Sequence, residues 1–184
     1  MSDGGSDGGG TVSNRIAVAA ALAAGIWTGA IGAAGTARAE DPDYLALSAG
    51  AFDAFESSTI AGEFRAEYRS KLKWWIFKPF TGVMATTEGS FYGYGGILLD
   101  VYLGSRIVVT PSVAAGLYVE GGGKDLGHDF QVRSQIEVAY RFADRSRLGV
   151  SFSHISNVGL DDTNPGAESV MVTYALPFSR LLGR

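Results

Sequence analysis

Between Ile60 and Arg69 the chain alternates almost strictly. Ile60, Gly62, Phe64, Ala66 and Tyr68 fall on one phase of a two-residue repeat, and Ala61, Glu63, Arg65, Glu67 and Arg69 on the other. An extended strand sends successive side chains to opposite faces, so this period predicts a strand with one apolar and one charged face. Phe130 to Phe142 repeats the pattern, with Phe130, Val132, Ile136, Val138, Tyr140 and Phe142 opposed to Gln131, Arg133, Gln135, Glu137 and Arg141. Six more segments of strand length follow: Tyr44 to Phe55, Trp74 to Ala85, Phe91 to Leu103, Ile107 to Tyr118, Leu148 to Ser156, and Glu168 to Phe178. The expectation is an all-β chain of eight strands.

The connections sharpen this picture. Ser70 to Lys73, Gly104 to Arg106 and Ala143 to Ser146 are short, whereas Gly121 to Gly127 and Asn157 to Gly166 are longer and rich in Gly, Asp and Asn. An even strand count with short turns at one end and longer loops at the other is the signature of a transmembrane β-barrel. A soluble eight-stranded calyx, such as a periplasmic lipid carrier, is the rival, but a small calyx needs apolar filling where these strands carry charge. Glu63, Arg65, Glu67, Arg69, Gln131, Arg133, Glu137 and Arg141 are therefore expected to form an ionic network inside a filled barrel. Aromatics near predicted strand ends, at Trp74, Trp75, Phe77, Tyr92, Tyr118, Tyr140 and Phe142, are candidates for the lipid–water interface. Pro79, Pro111 and Pro177 fall within predicted strands, where each removes a ladder donor and forecasts a bulged or shortened segment.

Upstream of the strands, residues 16–34 form an apolar run rich in Ala and Gly, preceded by Arg15 and followed by Ala37-Arg38-Ala39. That order predicts a cleavable signal peptide over 1–39, with the barrel domain over 40–184. The run also approaches the minimum length of a membrane anchor, but the A-x-A exit favours export. Beyond it, no stretch has the roughly 20 consecutive apolar residues of a membrane helix. A formal charge of -4 and the lack of a basic run give nucleic acid no footing. The absence of Cys excludes thiolate metal sites and Cys nucleophiles.

Chemistry concentrates in Ser151 to Ser169, SFSHISNVGLDDTNPGAES. If Leu148, Val150 and Phe152 face outward, parity puts His154 and Ser156 on that same face near the end of the seventh strand. Glu168 shares a face with Val170, Val172 and Tyr174 at the start of the eighth. An alcohol, an imidazole and a carboxylate so grouped are the parts of nucleophilic acyl transfer: Ser156 attacks, His154 carries the proton, Glu168 orients the ring.

His154-x-Ser156-Asn157, then Gly159, then Asn164-x-Gly166-x-Glu168-Ser169 resembles the signature of the outer-membrane lipid A 3-O-deacylases, the PagL type. The resemblance implies the same three roles, and it implies Asn164 and the backbone N–H of Gly159 as an oxyanion hole. It further implies a site on the barrel exterior, in the outer membrane, acting on lipid A of lipopolysaccharide in the outer leaflet. The 3-O position of the ester comes from the resemblance alone. No cofactor and no metal are expected, and a homodimer is left open. The alternative is a non-catalytic small barrel with a structural or adhesive role.

Other motifs weigh less. His128 with Asp125 and Asp129 lacks a second His for metal, Asp161-Asp162 fits turn chemistry, and Gly121-Gly122-Gly123-Lys124 lacks the spacing and the Ser/Thr of a phosphate loop.

Overall fold

The computed structural model describes residues 41–181 apart from 57 and 59, so the predicted signal peptide lies outside the described residues. Nine strands are laid down in chain order: β1 (Tyr44–Phe52), β2 (Ala61–Arg69), β3 (Lys78–Thr86), β4 (Phe91–Leu98), β5 (Val101–Leu103), β6 (Ile107–Val119), β7 (Phe130–Arg141), β8 (Arg147–Ser156) and β9 (Ala167–Pro177). A helical turn, α1 (Phe178–Leu181), follows. Every pairing is antiparallel, and β9 returns to β1, with Tyr44 opposite Pro177 and Phe52 opposite Ser169, which closes the sheet. Closure leaves no unpaired edge, the condition for strands to cross hydrocarbon. Among the described residues no helix is long and apolar enough to cross a membrane.

The predicted fourth strand is present but broken into β4 and β5. Leu98 pairs with Ser112 and Val101 with Val109, so the register runs unshifted through the break, which makes eight barrel strands. Pro111 stands opposite the gap: the Leu99 N–H still donates to its carbonyl at 3.0 Å, but Pro has no N–H to return. The interruption forecast at Pro111 thus falls on its partner strand. Two other boundaries differ from expectation. β1 stops at Phe52 because Asp53 takes a positive φ of 53°, and β3 begins only at Lys78. Trp74 to Phe77 instead forms a tight reversal, with reciprocal backbone bonds of 2.8 and 3.1 Å across it and Trp75 at φ 60°.

Inside and outside follow the parity of the sequence. Leu47, Phe64, Val83, Val113, Ile136, Val138, Leu148, Val150, Phe152, Val170 and Val172 are exposed on the outer face. The charged residues of β2 and β7 fill the interior. Arg69 donates to Glu137 at 3.0 and 2.8 Å and to Glu67 at 2.9 Å, while Arg133 and the Tyr94 hydroxyl both reach the other oxygen of Glu67, at 2.7 and 2.9 Å. Arg133 also lies 4.1 Å from the Tyr94 ring centroid, a cation–π contact. Nearer the loops, Arg65 pairs with Glu63 and donates to Gln135 at 2.7 Å and Ser153 at 2.9 Å. At the short-turn end Arg147 bridges Asp41 at 2.7 Å and Asp100 at 2.9 Å, with Lys78 also on Asp100 at 2.7 Å. These groups are expensive to desolvate singly and tolerable only when ion-paired with one another.

An apolar exterior around a charged interior inverts a soluble calyx and matches a membrane barrel. Trp74 and Trp75 are highly exposed at the short-turn end, where interfacial rings belong. Tyr92 and Tyr118 correct the aromatic expectation. Both sit on the inward phase and are buried, their hydroxyls donating to the carbonyls of Gln131 at 3.0 Å and Lys124 at 2.8 Å.

Candidate active site

β8 and β9 present the predicted trio at the long-loop end of the barrel. His154 and Glu168 are directly opposite in the antiparallel register, and their side chains meet: His154 Nδ1 lies 2.9 Å from Glu168 Oε1. Both remain partly open to the surroundings, with side-chain exposures of 44% and 36%. His154 and Ser156 alternate with inward, buried Ser153 and Ile155, and they continue the outward phase of Phe152. Ser156 pairs with Val132 of β7, and His154 with Ser134. Alcohol, imidazole and carboxylate therefore occupy one patch of the outer face. With Nδ1 engaged by the carboxylate, the ring's remaining nitrogen, Nε2, is the one able to exchange a proton.

The loop between β8 and β9 is organised by a residue to which the spacing of the motif assigns no role. Asn157 is fully buried and uses its whole amide: Nδ2 donates to Leu126 O at 3.1 Å and Thr163 O at 2.7 Å, and Oδ1 accepts the Gly159 N–H at 2.9 Å. Its backbone N–H donates to Asn164 Oδ1 at 3.1 Å. A buried amide must be saturated to be stable, and here saturation ties the β8–β9 loop to the β6–β7 loop. Asn164 is held by its acceptor end, which turns its Nδ2 donor end elsewhere. The Gly159 N–H is engaged by Asn157 in this arrangement. The buried-Asn role had one signal in sequence, a polar residue on the inward phase just after β8.

Gly166 is the second such residue. It has φ 62°, and a Cβ placed there would come within 2.9 Å of His154 Cε1 and 3.2 Å of Ile155 O. The loop backbone thus presses against the imidazole, an approach open only to Gly. Glu168 is supported from the other side, its carbonyl accepting the Ala54 N–H at 2.9 Å.

The remaining sequence candidates have local partners. His128 Nδ1 accepts the Phe130 N–H at 2.9 Å, Asp125 accepts that of Gly127 at 2.7 Å, and Asp161 accepts that of Asp162 at 2.6 Å, all turn bonds. Lys124 donates to both oxygens of Asp53 at 2.8 Å, near the loop end of the barrel. Among the described residues there is no group of three or more His, Cys, Asp or Glu fit to hold a metal.

A closed antiparallel barrel, apolar outside and ionic inside, with a polar trio on its outer wall, defines a small membrane β-barrel. Solved barrels resemble it: the outer membrane enzyme PagL, at TM-score 0.55 and 19% identity over 73% of this chain and 99% of that one, and Neisserial surface protein A, at 0.52 and 12% over 74% and 96%. At such identities the likeness concerns the fold alone. The family model described as lipid A 3-O-deacylase (PagL) matches residues 60–177, and the chain belongs to that family. Lipid A deacylase PagL of Bordetella bronchiseptica is 28% identical over 79 residues, a match that spans 42% of this chain and 44% of that protein. Family and architecture together assign the chain to the outer membrane.

Proposed function

We propose that this barrel is a carboxylic-ester hydrolase that removes the 3-O-linked acyl chain from lipid A, with water as second substrate. The observation that carries the reading is the 2.9 Å His154–Glu168 contact on the lipid-facing wall, beside an outward Ser156 and inside the family-matched residues. Two ionisable groups and a hydroxyl on the hydrocarbon side of a barrel are costly unless they serve function.

In the proposed cycle, His154 Nε2 takes the proton of Ser156 Oγ as that oxygen attacks the ester carbonyl, and Glu168 holds Nδ1–H and steadies the imidazolium. The tetrahedral oxyanion is received by Asn164 Nδ2 and by the Gly159 N–H, which exchanges its bond to Asn157 for one to the oxyanion. Collapse breaks the bond to the sugar oxygen, which leaves with the proton from His154. Water, deprotonated by His154, then attacks the acyl-Ser156 ester, and the fatty acid departs with Ser156 restored. The site's place on the wall suits a substrate that is itself a bilayer component, since lateral diffusion delivers it without passage through the filled lumen.

Mass spectrometry of lipid A from cells expressing the parent or Ser156→Ala is the test. The parent should yield lipid A lacking one acyl chain and the variant should not. Identical lipid A from both would mean a non-catalytic barrel.

A further inference from the structure

The turn joining β2 to β3 is the longest at its end of the barrel, residues 70–77 against 104–106 and 142–146. The reciprocal Trp74–Phe77 bonds fold it back on itself and hold Trp75 at φ 60°, a conformation that Gly or Asn adopts readily and an aromatic residue rarely. Its rings are presented, not buried: Trp74 is 82% exposed and Trp75 78%, with Leu72 exposed beside them. The Trp75 ring stands edge-on to Phe77, 6.0 Å between centroids, and Phe77 shares its phase with the exposed Pro79, Thr81 and Val83 of the outer face. The Trp75 indole therefore lies on the lipid side of the wall. In water such a turn would combine backbone strain with exposed apolar surface; against lipid the rings are covered.

Two lysines frame these rings. The Lys71 side chain is 57% exposed and its ammonium lies 3.9 Å from the Asp43 carboxylate, while Lys73 is exposed and ion-paired with no carboxylate among the described residues. The charge of the whole barrel is divided in the same sense. Arg106 and Arg180 are exposed at this end too, Arg180 against Asp144. The long-loop end exposes Glu88, Glu120, Asp125, Asp129, Asp161 and Asp162, and its Lys124 is taken by Asp53.

We infer that the 70–77 turn is a docking surface for anionic phospholipid, with Trp74 and Trp75 seated at the acyl boundary of the inner leaflet and Lys71 and Lys73 on the phosphate head groups. An indole has an apolar body and a single N–H donor, which suits the boundary between hydrocarbon and head groups. A lysine's apolar stem lets its ammonium reach the phosphate layer from beside a ring. Short turns of membrane barrels face the periplasm, so the leaflet met here is the one opposite His154 and Ser156. A zwitterionic head group would suit the indoles alone. The two ammoniums select net negative charge, each favouring it by up to about fivefold at low salt.

Trp occurs in the chain only at positions 27, 74 and 75, so a Trp27→Phe barrel reports by fluorescence on this turn alone. Purified from outer membranes, that barrel is reconstituted into vesicles of equimolar phosphatidylcholine and phosphatidylglycerol, one or the other carrying brominated acyl chains that quench indoles on contact. At low salt brominated phosphatidylglycerol should quench roughly threefold or more as strongly as brominated phosphatidylcholine. The ratio should fall toward parity at about 1 M salt, where the Debye length is ~3 Å, a test that needs no further variant. Lys71→Ser combined with Lys73→Ser should bring it to about one at low salt, with heat-modifiable gel migration checking that the barrel is folded. Quenching by neither lipid would put the turn in the aqueous phase, with a soluble partner as its occupant, and the docking to lipid would be wrong. Equal quenching by both at low salt, or a preference that survives loss of both lysines, would overturn the selection of negative charge.

Discussion

Two sets of ionisable groups, one in the lumen and one on the wall, are treated oppositely by the same barrel. In the lumen Glu67, Arg69, Arg133 and Glu137 are buried and joined in one ion-paired network, Arg69 bridging the two glutamates and Arg133 adding a second cation to Glu67. On the wall His154 and Glu168 share one bond, remain partly exposed, and stand beside a serine on the same face. Buried, ion-paired charges hold a shape and lie out of a substrate's reach. Partly exposed ones can meet a substrate, and here they occupy the outer wall, the surface that a membrane lipid can reach.

The contrast is testable from its strongest consequence downward. Ser156→Ala should lower deacylation by as much as ~10⁶-fold, as loss of the nucleophile does in a triad hydrolase, with unfolding midpoint unchanged; lipid A mass spectrometry and urea titration read the two quantities. Glu168→Gln keeps size and removes charge, and should cost on the order of 10⁴-fold in kcat through the lost hold on the His154 tautomer, again without loss of fold. Glu67→Ala should do the reverse. Leaving Arg69 and Arg133 short of a carboxylate is worth about 3–5 kcal/mol of stability, seen as a lower urea midpoint, while the folded fraction retains its specific activity. Gly166→Ala is the mildest: its Cβ displaces the imidazole, and a shift of that kind costs up to ~100-fold in kcat with the barrel intact. A Glu67→Ala barrel that loses specific activity before it loses fold would erase the distinction between lumen and wall.

The alternation in Ile60–Arg69 and Phe130–Phe142 was legible because it depends only on the two-residue period, and it carried the inside and outside of the barrel with it. The outward phase of His154, Ser156 and Glu168 was legible for the same reason. Tyr92 and Tyr118 lie near strand ends yet on the inward phase, and phase decides their burial. The reversal at Trp74–Phe77 was hidden, since aromatic β-formers occupy a turn whose positive φ at Trp75 no local preference favours. Asn157 and Gly166 escaped because their roles consist of contacts across loops, to Leu126, Thr163 and the His154 ring.

Period and phase, which are properties of neighbours along the chain, already determined that these are strands, which side of each is greasy, and that His154, Ser156 and Glu168 share the greasy side. Register is a property of strands far apart in sequence. Only the closed barrel decided that Glu168 lies opposite His154, and that Ser156 pairs with Val132. A one-residue slip in any pairing would move every partner to the other face, so the shared burial of all eight walls, and no single strand, is what sets it.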